Sequence, residues 1–280
     1  MNKITFIAVV AGKDDIDRFL ELTLYSILKN FNNTDIEEFL IITREQDIDY
    51  FQNELNKNNY NKDNNNQIKI INEKKVFNKR VYSNYQLQII LKLYISYYVK
   101  TELYITLDSD MYLTKKISIN DIIVDNKPIV NFEKIKYHIG WHNSSKKILN
   151  IDFNENDDCI GVTPSILYTN FVKQLLKEYE KDILSFPKLF TEYSLYSLFI
   201  THKYNISLDK LYYRKNLYNN CIWKKLDNKF DISIYTNKIK EQFNEKETIF
   251  SIIQSNLVRL KDISKDDYNN IIKYIINNIK

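Results

Sequence analysis

Apolar and polar positions alternate along the first third of the chain between two periods. Short β-rich runs are separated by stretches in which apolar residues recur at helical spacing. Ile4–Val10 reads as a buried strand. Asp15–Lys29 reads as a helix, with Phe19, Leu22, Leu24, Ile27, Leu28 and Phe31 near one face. Phe39–Thr43 is a second strand, Asp47–Leu55 a short helix, Asn56–Asn66 an Asn-rich loop and Ile68–Ile71 a third strand. A longer helix is predicted over Ser83–Val99, with Leu87, Ile90, Leu91, Tyr94, Ile95 and Tyr98 as its buried stripe. Leu103–Leu107 follows as a fourth strand. Strands joined in succession by helices imply an α/β fold, with a mostly parallel sheet flanked by helices.

The second half is less regular. Pro128–Phe132 and Asp158–Val162 read as strands. Thr163-Pro164 is expected to open a helix running to Leu184, with Thr as N-cap and Pro in the first turn. Thr191–His202 is a further helix and Thr248–Ile253 a late strand. Ser264–Ile279 is amphipathic, with Tyr268, Ile271, Ile272, Ile275, Ile276 and Ile279 on the face expected to pack on the body. No internal repeat or linker divides the chain, so one continuous domain over residues 1–280 is expected.

The fourth strand ends abruptly in Asp108-Ser109-Asp110. Side chains at i and i+2 of an extended chain point to one side, so the two carboxylates can converge just beyond a buried strand end. Two oxygen-donor anions there can hold a hard divalent cation, Mn²⁺ or Mg²⁺, against a diphosphate. Acidic residues also end strands simply because the chain meets water, so the tripeptide alone leaves both readings open. A calcium loop is excluded, because the later Asp or Asn and the turn Gly do not follow Asp110. Ligands in such sheets sit at the carboxyl ends of strands, where Asp108 and Asp110 fall.

Composition narrows the choices. With 44% hydrophobic and 27% charged residues the chain is globular rather than disordered. Only 3 Gly occur, and neither Gly-x-Gly-x-x-Gly nor a Walker sequence is present, so any bound phosphate must be met by a metal and side chains. Forty basic residues against 36 acidic ones, net +4, are spread along the chain. That is not the concentrated stripe of a nucleic-acid binder, and no nucleic-acid partner is expected. Cys159 and Cys221 give no disulfide framework and no Cys-x-x-Cys, which favours a reduced, cytoplasmic compartment. The apolar run after Lys3 is cut short by Asp14-Asp15, so it reads as a strand rather than a signal peptide, and no run approaches a membrane span.

Five short motifs occur in order: Gln88-Ile-Ile-Leu-Lys92-Leu, Tyr104-Ile-Thr-Leu-Asp108-Ser-Asp110, Gly161-Val-Thr-Pro164, Thr191-Glu-Tyr193 and Gln254-Ser-Asn256. Together, over residues 1–260, they resemble a little-characterised family of glycosyltransferase-type proteins of the GT-A fold found in bacteria and large DNA viruses. For a viral protein the compartment would be the host cytoplasm. The resemblance implies a Rossmann-like, nucleotide-binding half over 1–115, an acceptor and catalytic half over 116–260 and a C-terminal helix over 261–280. It also implies a nucleotide-sugar donor, with uridine diphosphate the commonest nucleotide in this fold, and a glycan, protein or lipid-linked acceptor.

On this resemblance, Asp110 and less directly Asp108 would bind the metal, with Ser109 between them at the donor. Gln88 and Lys92 share a helix face at i and i+4, so Lys92 would meet a phosphate or stay solvated, the default for lysine. The end of the first strand, Ala8, Val9 and Ala11, and Arg44 after the second strand are where the fold holds the nucleoside. Glu192, at a helix start that favours its ionised form, is the candidate base for an inverting transfer. Gly161 and Thr163 would place bare backbone and a helix N-terminus beside the sugar. Gln254 and Ser255 follow a late buried strand, where such enzymes supply a third metal or phosphate contact, often from a His. Trp141 and His142 are expected in a loop contacting acceptor sugar, together with Tyr193.

His138 and His142 have the spacing of two zinc ligands on one helical turn, but Gly140 weakens a helix, the intervening Glu is absent and no third ligand is evident. Two rivals stay open. In a haloacid-dehalogenase-like phosphatase Asp108 would be the nucleophile and Asp110 the acid/base, although that motif ends a first strand and here three strands precede it. The other is a sugar- or nucleotide-binding protein that keeps the fold without the chemistry.

Overall fold

The computed structural model describes residues 3–60, 67–226 and 230–279. Four parallel strands, β1 (Ile4–Val9), β2 (Ile36–Thr43), β3 (Ile68–Asn72) and β4 (Leu103–Leu107), make up most of a five-stranded sheet. The Ser165–Tyr168 strand lies on the outer side of β4, and the order across the sheet is Ser165–Tyr168, β4, β1, β2, β3. Only the Ser165–Tyr168 edge runs antiparallel, with Ser165 opposite Thr106. Parallel strands covered on both faces must be apolar throughout rather than alternating. All five residues of β4 and the first five of β1 are accordingly buried.

Helices cover the sheet where helical spacing places them. One continuous helix spans 13–30, with a π-helical middle at Phe19–Leu24. Ile48–Lys57 links β2 to β3. Asn84–Tyr94, capped by Ser83, leads into β4 through a 3-10 turn. Its stripe is buried from Ile90 through Ile95, whereas Leu87 is half-buried and Tyr98 is exposed. The C-terminal helix Lys265–Asn278 buries Tyr268, Ile271, Ile272 and Ile275 against a smaller core containing Tyr112, Tyr235 and Ile253. Among the described residues no helix is long and apolar enough to cross a membrane.

Four expectations need correction. Thr163-Pro164 does not open a helix: Ser165–Tyr168 pairs with the edge of β4, burying Ile166 and Leu167, and the helix begins only at Thr169 (Thr169–Ser185). Edge pairing satisfies that backbone over a longer, apolar run than a local cap can. Second, the helix Ile139–Leu149 occupies the stretch expected as a loop. Third, Pro128–Phe132 divides into Lys127–Val130 and Phe132–Lys134, which pair in separate small sheets. Fourth, residues 56–57 of the expected Asn-rich loop are the last turn of Ile48–Lys57, while 61–66 lie outside the described residues. The helix Ile232–Asn244 was not foreseen.

Candidate active site

The carboxyl end of β4 turns at Asp108-Ser109-Asp110 into β5 (Met111–Leu113). This turn is clamped from below by Thr23, in the π-helical segment of the first helix. The Thr23 hydroxyl donates to the Met111 carbonyl at 2.8 Å and accepts from the Met111 N–H at 3.3 Å. β5 pairs antiparallel with Phe250–Ile252, Met111 opposite Ile252. The residues after that strand are thereby brought to the turn. Ile253 N–H donates to the Asp110 carbonyl at 3.0 Å, and Ser255 N–H to Asp110 Oδ2 at 2.8 Å. Burial, together with the charge of Asp108, pushes the Asp110 carboxyl above the ordinary aspartate value, against the pull of Arg18 and the Ser255 hydrogen bond. Arg18 also donates to Ser109 Oγ at 3.0 Å.

Behind the turn lies a buried ion triad. Lys92 Nζ is 2.8 Å from Asp108 Oδ1 and 3.2 Å from Glu192 Oε1, and it donates to Thr163 Oγ1 at 3.3 Å. Lys92 is thus neither solvated nor free for a phosphate, as a helix-face lysine is by default. Burial disfavours its charge, but Asp108 and Glu192 outweigh burial and hold its pKa above the usual lysine value. Gln88, one turn earlier, donates to the same Asp108 oxygen at 3.3 Å. Among the described residues, the side-chain bonds to Asp108 fall on Oδ1.

The far wall was not anticipated. Glu133, in Phe132–Lys134, accepts from the Tyr218 hydroxyl at 2.6 Å and pairs with His138 Nε2 at 3.1 Å. Burial opposes ionisation of Glu133, but the bonds from His138 and Tyr218 prevail and hold its carboxyl below the ordinary glutamate value. His138 stacks on Trp141 with ring centroids 4.5 Å apart, and Trp141 meets Tyr193 edge-on at 6.1 Å. The Tyr218 hydroxyl also accepts from the Val162 N–H at 3.1 Å.

One cavity of about 600 Å³ joins these parts. Of the residues expected at a site, it is lined by Val9, Gln88, Lys92, Asp108, Ser109, Asp110, Trp141, Thr163, Glu192, Tyr193 and Gln254. Five expected residues do not line it. Ala8 is wholly buried in the main core. Ala11 and Arg44 stand aside, where the Gly12 N–H donates to Asp47 and the Arg44 carbonyl accepts from the Asp47 N–H. Gly161 is behind the wall, its missing Cβ making room for Tyr218 Oη at 2.6 Å and Glu133 Oε1 at 2.8 Å. His142 is wholly buried, its Nδ1 on the His138 carbonyl at 3.1 Å. The helix explains the exchange: it turns His142 inward and leaves His138 and Trp141 at the cavity. Residues missed by the sequence reading include Arg18, Glu133 and Tyr218, which carried no signal, while His138 was weighed only for zinc through its spacing from His142 and Ser255 only as the neighbour of Gln254 in the late motif.

A family model described as "Family of unknown function (DUF6492)" matches residues 1–275. The chain belongs to this family. No curated protein matches the sequence. Among solved structures, this DUF6492 member is similar to the galactosyltransferase LgtC in complex with donor and acceptor sugar analogues, at 7% identity and a TM-score of 0.48, covering 96% of this chain and 95% of that one. It is also similar to the glycosyltransferase GlyE of Streptococcus pneumoniae TIGR4, at 12% identity and a TM-score of 0.48, over 99% of this chain and 63% of that one. Mouse xyloside xylosyltransferase 1 matches at 12% identity and a TM-score of 0.44, over 91% and 98%.

Proposed function

We propose that this protein is a metal-dependent glycosyltransferase of the GT-A type, moving a sugar from a nucleoside diphosphate, UDP first among the candidates, to an acceptor hydroxyl with inversion. The observation that carries the reading is the charge of the cavity. Asp15, Asp108, Asp110, Glu133 and Glu192 line it against only Arg18, Lys92 and Arg259, and Lys92 is already spent on two of the carboxylates. An anionic diphosphate entering such a cavity needs an added cation. The residues present fit one: hard oxygen donors converge, and the Asp110 carboxyl resists ionising beside Asp108. Asp108, Asp110 and the Gln254 amide oxygen would hold Mn²⁺ or Mg²⁺. Among the described residues no group of three His, Cys, Asp or Glu side chains gathers for a metal, so donor oxygens and water would complete the shell. A bound cation would supply Lewis-acid neutralisation of the diphosphate as the sugar–phosphate bond breaks.

The protein's own groups do the rest. Lys92 and Gln88 fix the orientation of Asp108 through Oδ1 alone. Arg18 and Arg259 meet phosphate oxygens. Tyr85, Trp141, Tyr193 and Trp223 offer flat apolar faces, on which a glycan's sugar rings pack. The test is release of nucleoside diphosphate from a panel of nucleotide sugars, with and without Mn²⁺, for wild type and Asp110→Ala. Mn²⁺-dependent release from one donor, lost in the variant, is expected. Absence of release and of metal-dependent donor binding across the panel would refute the reading and bring the phosphatase alternative forward.

A further inference from the structure

We propose that His138, oriented by Glu133, takes the proton of the acceptor hydroxyl, and that Glu192, the base expected from sequence, is a positioning residue for Lys92. The inference rests on the glycosyl-transfer reading above and adds to it the residue that activates the acceptor.

Glu192 is poorly placed for proton transfer. Its side chain is 3% exposed, and its Oε1 accepts from the Lys92 ammonium at 3.2 Å and from the Thr163 hydroxyl at 3.4 Å. Taking a proton there would leave the buried Lys92 ammonium with one counter-ion fewer. His138 is the reverse case. Its side chain is 30% exposed and its Nε2 is 3.1 Å from Glu133 Oε2. Glu133 is itself held by the Tyr218 hydroxyl at 2.6 Å. An ionised carboxylate at Nε2 keeps the ring proton there, so Nδ1 carries the lone pair. No hydrogen bond to Nδ1 occurs among the described residues, whereas the Lys92 ammonium on the same cavity is held by Asp108 and Glu192.

The surroundings match an acceptor. Trp141 lies against His138 at 4.5 Å with the rings 21° from coplanar, and Tyr193 and Trp223 extend the aromatic wall. A sugar ring lying on this wall puts a hydroxyl beside the imidazole. In the step, the acceptor O–H proton passes to Nδ1 as its oxygen forms the new bond to the anomeric carbon. The bond from that carbon to the diphosphate oxygen breaks, and its electron pair leaves with the diphosphate. The imidazolium that results is stabilised by Glu133, the role a buried carboxylate plays behind a catalytic histidine. Tyr218 and the glycine at 161, which leaves room for it, hold that carboxylate in place.

The experiment uses the full chain with UDP-, GDP- and CDP-sugars as donors, nitrophenyl glycosides as acceptors and Mn²⁺ present. In His138→Ala, kcat for transfer should fall by about 10²–10⁴-fold while the donor KM stays within about threefold, and added imidazole should restore at least about tenfold of the loss. His138→Gln, whose amide can still bond Glu133, keeps the fold intact should the alanine variant melt early, and should show the same kcat loss. Glu192→Gln should act mainly on the donor KM. Transfer in both His138 variants within about threefold of wild type, or a kcat loss that imidazole leaves untouched, would overturn the assignment of His138 alone. A wild-type protein that releases no nucleoside diphosphate from any donor would overturn the glycosyl-transfer reading and this inference with it.

Discussion

Replacing Lys92 by Met tests whether the ion triad is the structural keystone of the site. Methionine keeps the length and flexibility of the lysine stem and removes only the charge. Two carboxylates lose their cation, but unequally. Asp108 is 38% exposed and is rehydrated, so its share is close to that of a surface pair, under about 1 kcal/mol. Glu192 is 3% exposed and keeps only Thr163. Leaving one member of a buried pair without its partner destabilises by about 3–5 kcal/mol. That is a large part of the roughly 5–15 kcal/mol that holds a typical protein folded. With an unfolding entropy of about 2.1 cal/mol/K per residue, a chain of this length loses about 5–8 °C in melting temperature. Urea and thermal unfolding followed by circular dichroism measure it. The double variant Lys92→Met/Glu192→Gln should regain at least about 2 kcal/mol, because a neutral amide can stay buried beside Thr163. A single variant within about 1 kcal/mol of wild type, or a double variant no more stable than the single, would refute the reasoning.

Two further outcomes follow from the same wall-by-wall chemistry. The Asp110 carboxyl is raised in the folded state by burial and by Asp108, so its favourable contribution is complete below the unfolded value and is lost as pH rises through the folded one. Asp110→Asn should therefore raise the melting temperature at pH 7, with the gain vanishing in acid, while Mn²⁺ should stabilise wild type and not the variant; a variant less stable than wild type at pH 7 would contradict this. Gly161→Ala would place a methyl 2.6 Å from Tyr218 Oη and 2.8 Å from Glu133 Oε1. Overpacking of this kind destabilises by about 1–3 kcal/mol, and Tyr218→Phe should recover part of it; an unchanged melting temperature in the single variant would show that the wall gives way freely.

What was legible in the sequence was local. Short apolar, β-rich runs gave β1 to β4, and the 3.6 period gave the helices between them and the amphipathic C-terminal helix, because these patterns depend on a residue and its near neighbours. The same logic put Asp108 and Asp110 at a strand end and Gln88 and Lys92 on one helix face, and all four do line the cavity. Where a local signal competed with distant pairing, the distant partner prevailed: the Thr163-Pro164 cap signal yielded to Ser165–Tyr168 pairing with β4. His138 and His142 illustrate a finer limit. Both are four residues apart near one helix end, yet one reaches the cavity and the other the core, since the face a helix presents depends on what packs against it.

Chain order alone thus determined that an α/β sheet would form and that two carboxylates would stand at its edge. Only the tertiary structure decided what those carboxylates meet. The pairing of β5 with Phe250–Ile252 delivers Ser255 to Asp110. The approach of two helices sets Lys92 between Asp108 and Glu192. The docking of Tyr218 on Glu133, with His138 five residues further along the chain, builds a wall from two separate segments. Contacts between residues far apart in sequence are fixed by the mutual burial of whole elements, and no window of neighbouring residues encodes that burial.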